Sequence, residues 1–312
     1  MTSCWVVTEG IAGTENQCLG VAEALGVMPE VKRVMLRFPW RTISPWGGPE
    51  PSFAFTGDLM APPWPDLVIS SGRKAIGAAR YIRKRAGNQT MIVQIQDPRG
   101  FYDLFDLVCV PAHDPAKGDH VIRTVAAPNR ITPLRLQDAA QEFTAQFLHL
   151  PVPRVAVMIG GNSKAYHMSV AATRNLCDSL ISLADSGYGV MVTASRRTGA
   201  QNRAILENML RHDNIFLWDG QGSNPYFGML GCADFIMVTA DSVSMLSEAA
   251  STGKPVYMIP LAGGHKRIDR LHKNLIDGGY VRPFEGILEK YRYAPLQDAA
   301  LIAAAVKKRL KP

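Results

Sequence analysis

The sequence predicts an α/β fold with two domains, each built on a doubly wound parallel sheet. Its 312 residues exceed the roughly 150 residues of an ordinary domain. Apolar runs of strand length alternate with segments of helical period along the chain, which is typical of βαβ units. The rhythm restarts after Pro151 and Pro153, which close a helical stretch at 134–150. We therefore predict domains at 1–150 and 151–312 that face each other across a cleft.

The first half contains six predicted strands. They are expected at 4–8, 31–36, 66–70, 91–96, 107–111 and 121–125, with the clearest helices at 15–25 and 74–86. Residues 38–65 depart from the pattern, because they hold three of the five tryptophans and show no periodicity. This segment is predicted to be irregular.

The second half repeats the alternation. Strands are expected at 154–160, 190–194, 214–218, 235–239 and 255–259, with a long helix at 170–186 after the first of them. Parallel sheets of this kind bind ligands beyond the carboxyl ends of their strands. The loops after these strands are therefore where we expect the chemistry.

Composition indicates a globular protein of the cytoplasm. The hydrophobic fraction is 47% and the charged fraction 20%, which is ordinary for a packed protein. The five cysteines never occur in C-x-x-C spacing, so neither a disulfide framework nor a zinc site is predicted. No signal-peptide pattern and no apolar run of about 20 residues is present. We expect a protein that is neither secreted nor membrane-spanning.

The net charge of +7 is unevenly distributed along the chain. It divides into +1 for residues 1–150 and +6 for residues 151–312. The basic residues stand in loops between apolar strands and form no continuous basic stripe, which argues against nucleic acid. A small phosphorylated ligand in the second half is the preferred interpretation.

Two loops of the second half have the composition of phosphate sites. Glycines let a ligand approach the backbone, hydroxyl groups and amides donate hydrogen bonds, and cations attract phosphate. Ordinary solvated turns are the alternative interpretation of both loops. The candidate substrate-binding residues are Gly160, Gly161, Asn162, Ser163 and Lys164 in the first loop and Ser195, Arg196, Arg197 and Thr198 in the second.

A third segment, 239–250, predicts a helix whose N-terminal amides face the ligand. Asp241 or Ser242 would cap this helix, Ser244 lies in its first turn, and Glu248 lies near enough to reach ribose hydroxyls. The alternative is a well-capped helix with an exposed glutamate. A fourth loop follows the last predicted strand and adds three further candidates: Gly264, His265 and Lys266.

Two carboxylates of the first domain are candidate catalytic bases. Glu9 and Asp97 each follow a predicted strand, and an inverting glycosyl transfer needs a group that takes the proton of the acceptor hydroxyl. Glu9 is the first choice and Asp97 the second. A role as a turn or helix-dipole partner has about equal weight for Glu9.

No metal or redox cofactor is predicted. His113 with Asp114, and His265 with Asp269 and His272, form no recognisable ligand cluster. The first strand is followed by a turn without the G-x-G-x-x-G fingerprint, so a nicotinamide enzyme is not expected.

A membrane surface is a further candidate partner. The helix at 74–86 and its approach are rich in cations, and the segment 38–65 is rich in aromatic residues. Together they could rest on anionic lipid and receive a lipid-linked acceptor. A solvated helix beside a packed loop is the alternative. The cations are Arg73, Lys74, Arg80, Arg83, Lys84 and Arg85.

The motif S-E-A-A-x-x-G-K-P-V at 247–256 resembles the sugar-nucleotide segment of GT-B glycosyltransferases, which have two Rossmann-like domains. A fuller resemblance covers nearly the whole chain. It rests on T-E-G-x-x-G-x-x-x-Q-x-x-G at 8–20, S-S-G-R-K at 70–74, Q-I-Q-D-P at 94–98, G-G-N-S-K at 160–164, S-R-R-T at 195–198 and T-A-D-S-V-S-M-L-S-E-A at 239–249. These blocks are similar to those of bacterial relatives of the plant elongated-mitochondria fission factor.

The resemblance implies a GT-B-like glycosyltransferase. A nucleotide-sugar donor, which is a substrate and not a cofactor, would bind the second domain, and an envelope glycan or lipid-linked acceptor would bind the first. Arg196, Arg197 and Lys164 would stabilise the leaving phosphate in place of a metal. A sugar-nucleotide epimerase or hydrolase on the same fold and a non-catalytic scaffold stay open. The expected location is the cytoplasm or the inner face of the membrane.

Overall fold

The chain folds into two compact units. The computed structural model describes residues 2–48, 50–112 and 118–310. Unit 1 comprises Met1–Arg130 together with Gln297–Pro312, and unit 2 comprises Ile131–Leu296. The division therefore falls at 130/131 and 296/297 instead of the predicted 150/151.

Unit 1 is built on a seven-stranded sheet with the order β3-β2-β1-β4-β5-β6-β7. All neighbours are parallel except β3, which runs antiparallel to β2 inside the segment predicted to be irregular. The strand order reverses between β1 and β4, which creates a crevice at their carboxyl ends. The strands are β1 (Cys4–Thr8), β2 (Glu30–Leu36), β3 (Phe55–Gly57), β4 (Leu67–Ser71), β5 (Met91–Ile95), β6 (Leu107–Pro111) and β7 (Val121–Thr124).

Three helices follow strands of this sheet: α1 (Ala12–Leu25), α2 (Trp40–Ile43) and α3 (Ala75–Ala86). Side chains alternate across a strand, so β1 packs Trp5 and Val7 into one core and Cys4 and Val6 into another. Burial of both faces explains why the central strands are continuous apolar runs in the sequence.

Unit 2 is built on a six-stranded parallel sheet with the order β11-β10-β8-β12-β13-β15. Five of its strands match the predicted ones to within a residue at most ends. A short antiparallel pair, β9 with β14, joins two loops beside the sheet. The strands are β8 (Arg154–Ile159), β9 (Tyr166–His167), β10 (Gly189–Ala194), β11 (Ile215–Leu217), β12 (Phe235–Thr239), β13 (Val256–Ile259), β14 (Ala262–Gly263) and β15 (Arg282–Pro283).

The helix predicted as the interdomain joint lies inside unit 2. This helix, α4, packs closely on α7, where a Cβ atom at Gly231 would come within 2.4 Å of the Leu136 carbonyl oxygen. Phe147 at its end meets the edge of Phe216 at 5.3 Å between ring centroids. The helices are α4 (Pro133–Phe147), α5 (Val170–Asp185), α6 (Gly199–Met209), α7 (Tyr226–Cys232), α8 (Val243–Ala250), α9 (Lys266–Asp277) and α10 (Asp298–Arg309).

The last helix, α10, belongs to unit 1 and not to the second domain. Its Asp298 carboxylate accepts hydrogen bonds from the backbone N–H groups of Val125 and Ala126, at 3.0 and 2.8 Å. Ile302 and Val306 of α10 are fully buried in the core beneath α1. The chain thus enters unit 2 once and returns to complete unit 1.

This topology changes how the net charge divides between the two units. Unit 2 has 16 Lys/Arg against 14 Asp/Glu, a net +2, and unit 1 has 18 against 13, a net +5. The predicted excess of +6 in the ligand-binding half is therefore wrong as a property of unit 2, because the basic C-terminal helix belongs to unit 1. Any preference of unit 2 for anions has to come from local geometry.

Candidate functional site

Three loops of unit 2 converge on the backbone of Gly160. The strands that precede them, β10, β8 and β12, are neighbours in the sheet. The Gly160 N–H donates to Thr239 Oγ1 at 2.7 Å, and the Gly160 carbonyl accepts from the hydroxyls of Ser195 and Thr198 at 2.6 and 2.7 Å. The structure thus brings together the predicted loops at 160–164, 195–198 and 239–248.

Both glycines of the first loop lie where a neighbouring loop comes too close to leave room for a side chain. A Cβ atom at Gly160 would lie 2.3 Å from a carboxylate oxygen of Asp241, and one at Gly161 would lie 2.3 Å from the Arg197 carbonyl oxygen. Gly161 also has a φ of 134°, which side-chain-bearing residues rarely adopt. The glycines therefore let the loops meet.

Most polar groups of these loops hold the loops in shape. The Asn162 side-chain oxygen accepts from the Met168 N–H at 2.9 Å. The Ser163 hydroxyl oxygen accepts from the N–H groups of Ala165 and Tyr166. Lys164 is exposed next to them, so it is the charged group that this loop presents to solvent.

The two arginines of the second loop differ in their surroundings. Nη2 of Arg197 lies 2.8 Å from Oδ2 of Asp241, whose side chain has no exposed surface, whereas 42% of the Arg197 side chain is exposed. The contact is an ion pair without hydrogen-bond alignment. The other carboxylate oxygen of Asp241 accepts from the Thr239 hydroxyl at 2.7 Å. Arg196 is exposed beside them.

The N-terminus of α8 lies directly after Asp241. Ser242 is its N-cap residue, although its side chain makes no capping hydrogen bond. The first amide to bond back is that of Leu246, to the Ser242 carbonyl at 3.0 Å. The amides of the first turn, which includes Ser244, therefore lack intrahelical acceptors and can bind an anion.

Glu248 is buried in α8, about 9 Å along the axis from Ser242. Its Oε2 accepts a hydrogen bond from the Tyr226 hydroxyl. Burial raises the pKa of Glu248 to about 7, although the Tyr226 hydrogen bond opposes the shift. Burial also raises the pKa of Tyr226 well above its usual value. Tyr226 was not predicted from the sequence, since nothing local connects it to a residue 22 positions later.

The fourth loop is tied to the first by the β9–β14 pair. The Gly264 N–H donates to the Ala165 carbonyl at 2.8 Å. His265 is the N-cap of α9 and accepts from the Arg267 N–H through Nδ1 at 3.3 Å, and Lys266 opens the helix. All four predicted loops thus lie at one edge of the unit 2 sheet.

A buried histidine lies behind this loop. Burial lowers the pKa of His272, although hydrogen bonding to the Ala240 backbone opposes the shift. Within the described ranges its Nε2 has no hydrogen-bond partner. The Tyr166 ring lies 6.2 Å from the His272 ring. From the sequence, His272 has no predicted role, since it forms no recognisable ligand cluster with His265 and Asp269.

Lys254, within the sugar-nucleotide motif, has a structural role. Its ammonium group donates to the carbonyls of Leu230 and Gly231, at 2.7 and 2.6 Å, and so caps the C-terminal end of α7. Burial lowers the pKa of Lys254 to about 8. This lysine packs helix α7 and presents no charge to a ligand.

In unit 1, Glu9 and Lys74 form an ion pair across the point where the strand order reverses. Oε1 of Glu9 lies 2.8 Å from Nζ of Lys74. Both line a cavity of about 210 Å³. Asp97 instead builds a local turn, because its Oδ1 accepts from the Arg99 N–H and the Tyr102 hydroxyl, each at 2.9 Å.

The predicted basic helix is partly engaged in packing. Arg80 binds both carboxylate oxygens of Glu50, and Arg83 pairs with Asp106. The Arg85 guanidinium lies over the Tyr81 ring, 3.7 Å from its centroid. These cations stabilise unit 1, while Arg73 and Lys84 are exposed.

Two kinds of feature are absent from the described ranges. They contain no group of three or more His, Cys, Asp and Glu side chains that could hold a metal ion. None of their helices has the length and apolarity needed to cross a membrane. His113 and Asp114 lie outside the described residues.

Solved structures share the fold. UDP-GlcNAc 2-epimerase from Methanocaldococcus jannaschii superposes with a TM-score of 0.59 at 10% identity, over 99% of each chain. MurG from Acinetobacter baumannii superposes with a TM-score of 0.51 at 13% identity, over 100% of this chain and 91% of its own. The predicted GT-B-like α/β fold is confirmed.

Sequence comparison gives the family. The mitochondrial fission protein ELM1 of Arabidopsis thaliana is 34% identical over 273 residues, which cover 79% of this chain. The match spans 64% of the plant protein, so less than two thirds of its length is represented. The family model described as mitochondrial fission ELM1 matches residues 12–310. As the sequence blocks predicted, the chain belongs to the mitochondrial fission ELM1 family.

Proposed function

We propose that this protein is a metal-independent glycosyltransferase. It moves a sugar from a nucleotide-sugar donor, bound by unit 2, to an envelope glycan or lipid-linked acceptor, bound by unit 1. The observation that supports this most is the contact of Arg197 with Asp241 directly before the open N-terminus of α8, with Arg196 next to Arg197 in the chain. A helix N-terminus and guanidinium groups together suit a diphosphate.

Each part of the donor has a matching group in unit 2. The α8 amides, Arg196 and Arg197 bind the diphosphate, and Lys164 joins them in stabilising the leaving group. Glu248 accepts from the ribose hydroxyls, with Tyr226 orienting its carboxylate. Glu9 of unit 1 takes the proton of the acceptor hydroxyl, and Asp97 is the second choice for this role.

Two other functions have specific support. The similarity to UDP-GlcNAc 2-epimerase favours an epimerase or hydrolase of sugar nucleotides, which needs no acceptor. The name of the Arabidopsis relative favours a protein-interaction role without catalysis. Incubation with UDP-GlcNAc alone distinguishes an epimerase or hydrolase from a transferase. The first two convert the sugar nucleotide, whereas a transferase leaves it unchanged without an acceptor.

A thermal-shift panel tests nucleotide binding directly. UDP, GDP, ADP, their nucleosides and UDP-GlcNAc are added to the full chain. A ligand that binds the native state raises the melting temperature by mass action, and calorimetry then measures its affinity. No binding of any nucleotide contradicts the proposal and favours the interaction role. A diphosphate that binds more tightly than its nucleoside supports the proposal.

A further inference from the structure

The cavity in unit 1 is lined by charged side chains that the proposed donor binding does not use. It has a volume of about 210 Å³ and lies beside the Glu9–Lys74 pair. This volume is below the roughly 300–1,000 Å³ of pockets that enclose drug-sized ligands. The cavity therefore suits a headgroup better than a whole extended ligand. Its lining residues are Glu9, Met35, Leu36, Arg41, Thr56 and Lys74.

The lining has one uncompensated positive charge. Glu9 and Lys74 neutralise each other at 2.8 Å. Arg41 is exposed, and its guanidinium makes no hydrogen bond or ion pair with residues in the described ranges. Met35 and Leu36 add an apolar wall. This combination favours a ligand that has both an anionic group and an apolar portion.

Helix α2 connects this cavity to an exposed aromatic patch, which we define as Phe38, Ile43, Trp46 and Phe53. Arg41 lines the cavity from α2, and Ile43 ends the same helix. Phe38 is 83% exposed, Phe53 66% and Trp46 59%. Trp40 packs edge-on against Phe53, with 5.3 Å between ring centroids. All four lie within residues 38–53, and large exposed apolar groups that lie together mark interaction surfaces.

The exposed charges around the patch are cationic. Between residues 37 and 57 the charged residues are Arg37, Arg41 and Glu50, and Glu50 is buried. The Arg73 guanidinium lies 5.8 Å from the Trp46 ring centroid. Tryptophan, phenylalanine and arginine together are typical of surfaces that enter the interface of an anionic membrane.

A buried ion pair holds the patch in a fixed shape. Arg80 donates to both carboxylate oxygens of Glu50, at 2.6 and 3.0 Å, and to the Pro45 carbonyl at 2.9 Å. Glu50 also accepts from the Ser44 hydroxyl at 3.2 Å. Arg80 thus ties Glu50 and Pro45 to helix α3.

We infer that the unit 1 cavity binds the phosphate headgroup of a membrane lipid, with the aromatic patch inserted in the bilayer around it. The inference rests on the proposed function and deepens it by naming the acceptor class. Arg41 binds the lipid phosphate, and Glu9 faces the hydroxyl that receives the sugar. A soluble phosphorylated compound has the same headgroup chemistry, so the test has to separate the two sources.

Calorimetry with short-chain lipids separates these sources. The probes are dioctanoyl phosphatidic acid, dioctanoyl phosphatidylcholine and glycerol 3-phosphate. We expect phosphatidic acid to bind at least about tenfold more tightly than either of the others. Arg41→Gln should weaken phosphatidic acid about tenfold or more, while the matched exposed variant Arg37→Gln weakens it less than about threefold. Equal binding of the two lipids, equal binding of glycerol 3-phosphate, or equal effects of the two variants would overturn the inference.

Vesicle flotation tests the patch. On vesicles of phosphatidylcholine and phosphatidic acid in equal parts, Phe38→Ser should reduce bound protein, and Met28→Ser, an exposed apolar position outside the patch, should not. Equal loss in both variants, or binding to pure phosphatidylcholine that matches the mixed vesicles, contradicts the inference. The UDP-induced thermal shift should be the same in Arg41→Gln and the unaltered chain. Failure of UDP to bind at all would therefore refute the donor proposal and not the lipid site.

Discussion

The guanidinium of Arg197 lies 2.8 Å from Oδ2 of Asp241, a carboxylate with no exposed surface. The arginine therefore compensates a buried charge on one side and presents N–H groups to solvent on the other. Asp241 in turn occupies the space that a side chain on Gly160 would need. If Arg197 binds the donor phosphates as proposed, stability and anion binding are coupled through this one pair.

We predict that Asp241→Asn and Arg197→Gln are not additive in stability. In urea unfolding the double variant should differ from the sum of the single ones by at least about 0.5 kcal/mol. Each single loss should stay below the roughly 3–5 kcal/mol of a fully buried pair, because Arg197 is partly solvated. Additive effects would show that the pair contributes no coupling energy.

Arg196→Ala should weaken UDP by about 10- to 100-fold, since a lost charge-assisted hydrogen bond costs about 1.5–3 kcal/mol. Uridine affinity should stay nearly unchanged. Arg197→Ala should likewise weaken UDP more than uridine, and it should also lower the melting temperature. Calorimetry with both ligands measures this, with Arg211→Ala, two residues beyond the C-terminal end of helix α6, as control. Equal weakening of UDP and uridine would mean that the arginines are structural.

The raised pKa of Glu248 predicts that the stability of the fold depends on pH. Its pKa is raised from an ordinary value near 4.3 to about 7 by burial, so the folded state binds more protons than the unfolded state between these values. The carboxyl group therefore stabilises the fold below about pH 4 and loses that contribution as pH rises through 7. The free energy of unfolding of Glu248→Gln, minus that of the unaltered chain, should rise by roughly 2–3 kcal/mol from pH 5 to pH 8. Unfolding across this range measures it, and the exposed Glu207→Gln should show no such trend.

Glu9→Gln should lower turnover by roughly 10²–10⁴ while donor affinity is nearly unchanged, because the amide cannot accept a proton. Asp97→Asn should mainly lower stability, since its carboxylate serves the turn at Arg99 and Tyr102. Turnover and UDP affinity of both variants, measured on folded protein, separate the two roles. A loss of less than about tenfold in Glu9→Gln would assign Glu9 a structural role.

Activity should survive a chelator, because cationic side chains and helix amides take the place of a divalent ion at the leaving group. Turnover is measured with and without EDTA after dialysis. Abolition by EDTA with rescue by magnesium or manganese would refute the metal-independent mechanism.

The central strands could be predicted because burial on both faces makes them continuous apolar runs, as in β1 and β12. The two-residue strands β9 and β14 could not, since their pairing is set by the meeting of two distant loops. The domain boundary was misplaced because Pro151 and Pro153 end a helix without ending a unit. Only tertiary packing shows that α4 belongs with α7.

For the candidate site, the sequence predicted which loops meet but not the contacts of each side chain. Loops after neighbouring parallel strands must meet, so their convergence follows from topology. Topology does not determine whether a hydroxyl group binds a ligand or a backbone carbonyl. Ser195 and Thr198 both donate to the Gly160 carbonyl oxygen. The Tyr226–Glu248 contact joins two elements and leaves no local signature.

The return of α10 to unit 1 sets the order in which the units are completed during synthesis. Ile302 and Val306 fill a core beside α1, so unit 1 lacks two core side chains until α10 has left the ribosome. Unit 2 is continuous from Ile131 to Leu296 and needs nothing made after it. Nascent chains of multidomain proteins generally complete their N-terminal domain first. Here the inner unit can fold before the outer one is complete, because the outer core needs α10.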